Sequence, residues 1–212
     1  MKRYFITGTD TDCGKTYVTR KLTEFVPNSA AIKPVASGCT FIDGELISSD
    51  AQELMHTSTL TMQQINPWRF KLPVSPHIAA KQDGTHLSAD ELAQYCTRLE
   101  LPQTDTLFIE GAGGLMVPLN EEETWLDFLK CTEIPIILVV GMKLGCINHA
   151  LLTSLVLKSN KLSCAGWIAN CLDKDMLALE ENIQTLKSKL DIPLLATVPF
   201  GGTFTVINFD CF

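Results

Sequence analysis

The stretch Phe5-Ile6-Thr7-Gly8-Thr9-Asp10-Thr11-Asp12-Cys13-Gly14-Lys15-Thr16 constrains this chain more than any other. A short apolar run enters a turn, and the turn opens a helical pattern at Gly14. That is the layout of a loop that cradles phosphates. Consecutive backbone N–H groups surround the anion, Lys15 reaches its outer oxygens, and the Thr16 hydroxyl is placed to ligate Mg²⁺. The spacing departs from the strict G-x-x-x-x-G-K-[ST] pattern, because five residues separate Gly8 from Gly14 and Thr9 stands where the first glycine is expected. A plain strand-turn-helix containing Gly-Lys-Thr by chance is the competing reading. The apolar run before and the helical pattern after supply the context that the phosphate motif requires.

Beyond the loop, strands alternate with helices. Arg3–Thr7 reads as a strand, and a helix runs from about Gly14 to Phe25. Ala30–Val35 reads as a second strand closed by Lys33, followed by a helical stretch over Ala51–His56. Pro67–Pro76 has the composition of a loop. Helices are expected near His77–Lys81 and over Ala89–Leu99, the latter capped by Ser88 with Glu91 three residues on. Thr106–Glu110 and Pro135–Val140 are apolar strands, and Asn148–Lys158 has helical spacing. Ala165–Ala169 is a strand ending at Asn170, Ala178–Leu190 an amphipathic helix, and Leu194–Val198 the last clear strand. Strands apolar on both faces, alternating with helices, imply a mostly parallel sheet covered by helices on both faces, an α/β fold in one domain over residues 1–212. Ligands of such sheets bind beyond the carboxyl ends of the strands. Thr9–Thr16, Lys33–Ser37, Glu110–Gly114, Lys143–Asn148, Asn170 and Pro199 are therefore expected around one cleft.

Composition narrows the partners. With 212 residues and 46% hydrophobic content, the chain can bury one large core. A net charge of −7 without a Lys/Arg cluster argues against nucleic acid. The most apolar run, Pro135 to Met142, is too short to span a bilayer, and Met1-Lys2-Arg3-Tyr4 leads straight into a strand without a signal peptide. The eight cysteines form no C-x-x-C pair, and Cys146, Cys164 and Cys171 lie in apolar segments. They read as buried thiols of a reducing cytoplasm rather than a disulfide or zinc framework. The four histidines, His56, His77, His86 and His149, lack metal spacing and read as structural or surface groups.

Several polar residues admit two readings. Lys33 is either a solvated lysine or a second cation beside the transferring phosphoryl group. Asp50 is either, with Ser49, the N-cap of the helix that follows or a metal ligand. Glu110 ends an apolar strand, where an unpaired carboxylate would be costly to bury; Mg²⁺ held by Thr16 would pair it. The glycines that follow let backbone approach phosphates closely. Gly141–His149 is either a plain β-α turn capped by Asn148 or a second anion-binding helix start.

Six segments together resemble the dethiobiotin synthetase family: Gly8–Thr16, Lys33-Pro34-Val35-Ala36-Ser37-Gly38, Ser49-Asp50-Ala51, Glu110–Gly114, Val139–Ala150 and Gly166-Trp167-Ile168-Ala169-Asn170. They stand in order, the resemblance spans residues 3 to about 200, and the one-residue-longer loop is the family's own variant. The resemblance implies a P-loop NTPase-like fold and an ATP-dependent cyclo-ligase of biotin synthesis. It would join CO₂ (or bicarbonate) to 7,8-diaminopelargonate through a carbamate and a carbamic-phosphoric mixed anhydride, releasing dethiobiotin, ADP and phosphate. It further implies Lys15 and Lys33 as catalytic groups and Thr16, Asp50 and Glu110 as Mg²⁺ ligands. ATP would be held by Asp12, Cys13, Gly14, Lys15, Thr16, Tyr17, Asp50, Glu110, Gly111, Ala112, Gly113, Asn170, Cys171, Pro199, Phe200 and Gly201. The organic substrate would be held by Thr11 and Ser37, and across a homodimer interface by Gly145, Cys146, Ile147 and Asn148.

The rival within the same superfamily is a nucleotide-switch or partitioning ATPase. Its loop usually carries an additional lysine near the start, where this chain has Gly8-Thr9-Asp10-Thr11. A small-molecule kinase or amidoligase is a further alternative, against which the Lys33–Gly38 and Gly145–Ala150 segments speak. The resemblance fades after Pro199. No Asp or Glu lies between Asp191 and Asp210, so the family's acidic nucleotide contact has no counterpart, and loose recognition of the base is expected.

Overall fold

The computed structural model describes residues 1–56, 60–202 and 205–206. Its strands are β1 (Lys2–Gly8), β2 (Ser29–Ile32), β3 (Val35–Ala36), β4 (Thr40–Ile42), β5 (Glu45–Ile47), β6 (Trp68–Arg69), β7 (Thr106–Gly114), β8 (Ile136–Met142), β9 (Cys164–Cys171), β10 (Leu194–Val198) and β11 (Thr205–Val206). Its helices are α1 (Lys15–Phe25), α2 (Ser49–Met55), α3 (Met62–Ile65), α4 (Pro76–Gln82), α5 (Ala89–Arg98), α6 (Trp125–Thr132), α7 (Cys146–Ser159) and α8 (Leu179–Lys189). The main sheet runs β11-β10-β9-β8-β1-β7-β2. All its pairings are parallel except the one between β10 and β11.

Period-two alternation explains why these strands are apolar throughout. Phe5, Leu107 and Ile109 face the cluster built with α5 and α6, whereas Tyr4, Ile6 and Phe108 face α1 and α2. A third cluster packs Leu138, Val140 and Trp167 against α7 and α8. The Phe5 ring lies with its centroid 5.3 Å from those of Trp125 and Phe128. Truncating so central a ring to alanine costs about 3–5 kcal/mol. β1 lies between β7 and β8, with the chain's crossovers leading away on both sides. That is the switch point at which such sheets open a crevice.

The structure corrects several local expectations. The second strand stops at Ile32 rather than continuing to Val35, because Pro34 has no N–H to give a ladder. The Lys33 N–H leaves the sheet and donates to Ile65 O at 2.9 Å, and Val35–Ala36 pairs instead with Trp68–Arg69, inside the stretch expected to be loop. The cap of α2 is Ser48, whose hydroxyl accepts from the Ala51 N–H, and neither Ser49 nor Asp50. Asp50 sits in the first turn with its carboxylate free for other work. α7 begins at Cys146 behind Gly145, two residues before the expected cap Asn148. Cys146 and Cys171 are buried, but Cys164 is only half-buried. Besides the short helix α3, which starts in a Thr61/Gln64 capping box, two features escaped the sequence reading although their signals were present. α6 starts in a Thr124/Asp127 capping box, and the β4–β5 hairpin turns on Asp43-Gly44, both with positive φ. The residues after Val206 lie outside the described residues. No described helix is long and apolar enough to cross a membrane.

Candidate active site

The phosphate loop begins where β1 ends. Gly14 takes φ 82° before α1, a left-handed conformation that strains any residue with a Cβ, and Asn170 Nδ2 occupies the space a Cβ would need. That contact is also a bond: Asn170 Nδ2 donates to Cys13 O at 2.8 Å. The Cys13 thiol is fully buried and fills the space beside Gly8, so this cysteine packs inside the loop and, although expected at the nucleotide, does not line the cleft. Lys15 arches back over its own loop, its ammonium donating to Asp10 O at 2.9 Å and Thr11 O at 3.0 Å. The first N–H groups of α1 have no intrahelical partner and no side-chain cap, leaving them for an anion.

A cluster of charges from three further elements faces this loop. Glu110, fully buried on β7, accepts from the Thr16 hydroxyl at 2.6 Å and from Lys33 Nζ at 2.9 Å, both through Oε1. Lys33, just beyond β2, also donates to Asp50 Oδ2. Burial by itself would depress the Lys33 pKa, but the two carboxylates outweigh it and hold the ammonium charged, above the usual lysine value. Glu110 Oε2 is buried with no hydrogen-bond partner among the described residues. Two carboxylates and a hydroxyl gathered at one point, with a buried acceptor unused, form the open set of hard oxygens that suits Mg²⁺.

The cleft itself measures about 560 Å³. It is lined by Thr11, Asp12, Gly14, Lys15, Thr16, Lys33, Ser37, Asp50, Glu110, Ala112 and Gly113 among the residues expected from sequence. Ala36 lines it too, within the Lys33–Ser37 segment expected there, and the structure adds Ser75, Pro76 and Val117, which sequence reasoning missed. Ser75-Pro76 carried a signal, a serine before proline at a helix start, but nothing local said which surface it would reach. Trp125 Nε1 donates to Ala112 O at 3.0 Å, so α6 fixes the strand end that supplies Glu110 and the glycines. Outside the cleft lie Tyr17 on α1, Gly111 against Phe5, Asn170 and the buried Cys171 at the end of β9, and the exposed turn Pro199-Phe200-Gly201. Gly145, Cys146, Ile147 and Asn148 are outside it too, on the far side of the loop. An ion pair joins that side to the phosphate loop: Lys143 Nζ lies 2.7 Å from Asp10 Oδ2, and the Asp10 carboxyl is held below its usual range chiefly by that bond.

A protein-family profile described as an AAA domain matches residues 2–205. The chain is 61% identical to the ATP-dependent dethiobiotin synthetase BioD of Legionella pneumophila (strain Paris) over 207 residues, covering 98% of each chain. It is 47% identical to the protein of that name from Cellvibrio japonicus over 204 residues, covering 93% of this chain and 89% of the relative. The chain belongs to the dethiobiotin synthetase family. Among solved structures it resembles the septum site-determining protein MinD complexed with Mg-ADP from Pyrococcus horikoshii, with TM-score 0.56 and 20% identity over 93% of this chain and 81% of that one. A ParA family ATPase from Chlorobium tepidum gives TM-score 0.56 at 12% identity, covering 94% and 84%. These two likenesses establish the P-loop NTPase-like fold, which dethiobiotin synthetases share with partitioning ATPases. Family membership at full length separates the two readings where the fold does not.

Proposed function

We propose that this enzyme closes the ureido ring of dethiobiotin from 7,8-diaminopelargonate, CO₂ and ATP, with the chemistry centred on Lys33. The observation that carries this reading is the buried Lys33 ammonium, held charged between Glu110 and Asp50 in the cleft that Lys15 and Thr16 enter from the other side. One substrate amine adds to CO₂ and loses a proton, giving a carbamate. A carbamate oxygen then takes the γ-phosphoryl of ATP, breaking the bond to ADP. The second amine attacks the carbamoyl carbon, and phosphate leaves as the ring closes. No protein nucleophile is needed, so the chain's task is to position and neutralise anions. Lys15 and the loop N–H groups bind phosphate oxygens; Lys33 stabilises carbamate and transferring phosphoryl group; the Ser37 hydroxyl and Thr11 orient the substrate. Thr16, Asp50 and Glu110 would hold Mg²⁺, which supplies charge neutralisation on the phosphates.

The same reading includes a homodimer and a cytoplasmic setting. Gly145–Asn148 carry the helix start suited to a carboxylate but do not line their own chain's cleft. Around them Leu144, Leu155, Leu152 and Met116 are 99%, 60%, 53% and 53% exposed, an apolar surface suited to a second copy that would bring the carboxylate-binding turn to the partner's cleft. The test is phosphate release from ATP. Release that requires diaminopelargonate and bicarbonate together is the expected result, and release independent of either would return the chain to the nucleotide-switch reading.

A further inference from the structure

Asn66 is fully buried, lies between α3 and β6 and does not itself line the cleft, yet its side chain holds the backbone that carries Lys33. Its Nδ2 donates to Lys33 O at 2.7 Å and to Pro34 O at 3.2 Å, with Trp68 O at 3.3 Å. Three carbonyls around one amide nitrogen fix which way the amide points, since its oxygen in that place would face only acceptors. Its Oδ1 has no partner among the described residues, a cost that packing alone would have removed by placing an apolar side chain there. The need for such a side chain arises from Pro34. β2 ends at Ile32, so beyond it the Lys33 and Pro34 carbonyls have no ladder partner within the main sheet, and Asn66 supplies one to both.

The brace is itself anchored. Lys33 N–H donates to Ile65 O at 2.9 Å and Trp68 N–H to Pro34 O at 3.0 Å, so residues 65–68 clasp Lys33-Pro34 from both sides. Tyr95 on α5 donates to Gln64 O at 2.6 Å and meets the Trp68 ring edge-on at 5.4 Å. A lysine side chain has four flexible carbons, so its ammonium is no better placed than its backbone. We propose that Asn66 is a positioning residue for the Lys33 ammonium, setting the backbone from which that group reaches Glu110 and Asp50. This rests on the role given to Lys33 under Proposed function.

Asn66→Ala, Lys33→Gln and Leu186→Ala, a buried substitution in the α7–α8 cluster, are compared as purified proteins. Turnover is expressed per nucleotide-binding site, titrated with a non-hydrolysable ATP analogue, so that unfolded molecules do not count. For Asn66→Ala, kcat is expected to fall about tenfold to a hundredfold while analogue affinity is unchanged, because the phosphate loop is untouched. Leu186→Ala loses stability without losing kcat per site. Wild-type kcat per site in Asn66→Ala, beside an inactive Lys33→Gln, overturns the inference alone. An equal loss of kcat and analogue affinity also overturns it, as general damage. An active Lys33→Gln instead overturns the reading of Lys33, and this inference with it. Should Asn66→Ala not fold, Tyr95→Phe loosens the same brace more gently and decides the matter: a kcat loss of about threefold or more at constant affinity supports the inference, and none overturns it.

Discussion

Two turns of this molecule are built alike and finished differently. After β1, Gly14 in a left-handed conformation (φ 82°) starts α1 without a side-chain cap; after β8, Gly145 (φ 92°) starts α7 in the same way. Each presents free N–H groups at a helix start, the general device for holding an anion. The first is walled in by its own chain. Lys15 covers it, Asn170 packs on it, and the Thr16–Glu110–Lys33–Asp50 cluster faces it across the cleft. The second has no such wall: Leu144 beside it is almost wholly exposed, and α7 turns Leu152 and Leu155 to the surface. A helix start becomes a site through what surrounds it. One turn is completed within the chain; the other is left open beside exposed leucines.

The largest expected effect lies at the completed turn. Lys15→Ala should lower kcat by on the order of 10²–10³, the usual loss when a group stabilising developing charge is removed, with the circular dichroism spectrum retained. Near-wild-type turnover would make the first turn no more catalytic than the second.

Base recognition tests how far the completed turn extends. In the proposed function its walls would grip phosphates and the cation, and the exposed Pro199–Gly201 turn and Asn170, whose amide nitrogen is given to Cys13 O, are the base readers expected from sequence. kcat/KM for ATP should exceed that for GTP, CTP or UTP by less than about a hundredfold, some 2.7 kcal/mol. A wider gap means that other residues read the base.

The unfinished turn is probed by Leu155→Glu. Sedimentation should show monomers, and kcat/KM for diaminopelargonate should fall by at least about tenfold, or 1.4 kcal/mol, while affinity for an ATP analogue stays constant. A fully active monomer would show that the second turn needs no covering.

The smallest effect concerns the Asp10–Lys143 pair, which ties the two turns together. Asp10 is 45% and Lys143 37% exposed, so Asp10→Asn should cost no more than the 0.2–1 kcal/mol, roughly, of solvent-screened pairs. The Asp10 pKa is lowered in the fold, so its contribution is present above the ordinary value of 3.8 and is lost as pH falls through the lower folded value. Urea midpoints of the two proteins should differ at pH 7 and draw together progressively as pH falls below 3.8. A difference that persists in acid means that the charge of Asp10 is not what joins the turns.

The phosphate loop was legible because everything it needs is local: an apolar strand, a glycine at the turn, a lysine and a hydroxyl in the next two positions. Lys33 and Glu110 were legible as polar groups at strand ends, and the parallel topology alone sends such ends to one rim. Asp50 was ambiguous for a physical reason. A carboxylate in the first turn of a helix satisfies capping rules whatever else it does, and only its contact with Lys33, 17 positions away in sequence, separates the roles. Ser75 and Val117 reach the cleft through contacts between elements, and no periodicity reports those.

By itself, then, the sequence determined the alternating elements, the parallel sheet and the nucleotide loop, since these follow from apolar period, turn chemistry and a nine-residue segment, Gly8–Thr16. Tertiary structure decided the rest. It broke the second strand at Pro34 and set Asn66 to hold what the break exposed. It moved the cap of α2 to Ser48 so that Asp50 could face Lys33, and it left one of two matching turns on an open apolar surface. Each of these depends on which distant groups compete for the same buried donors and acceptors, and that competition exists only once the chain has packed.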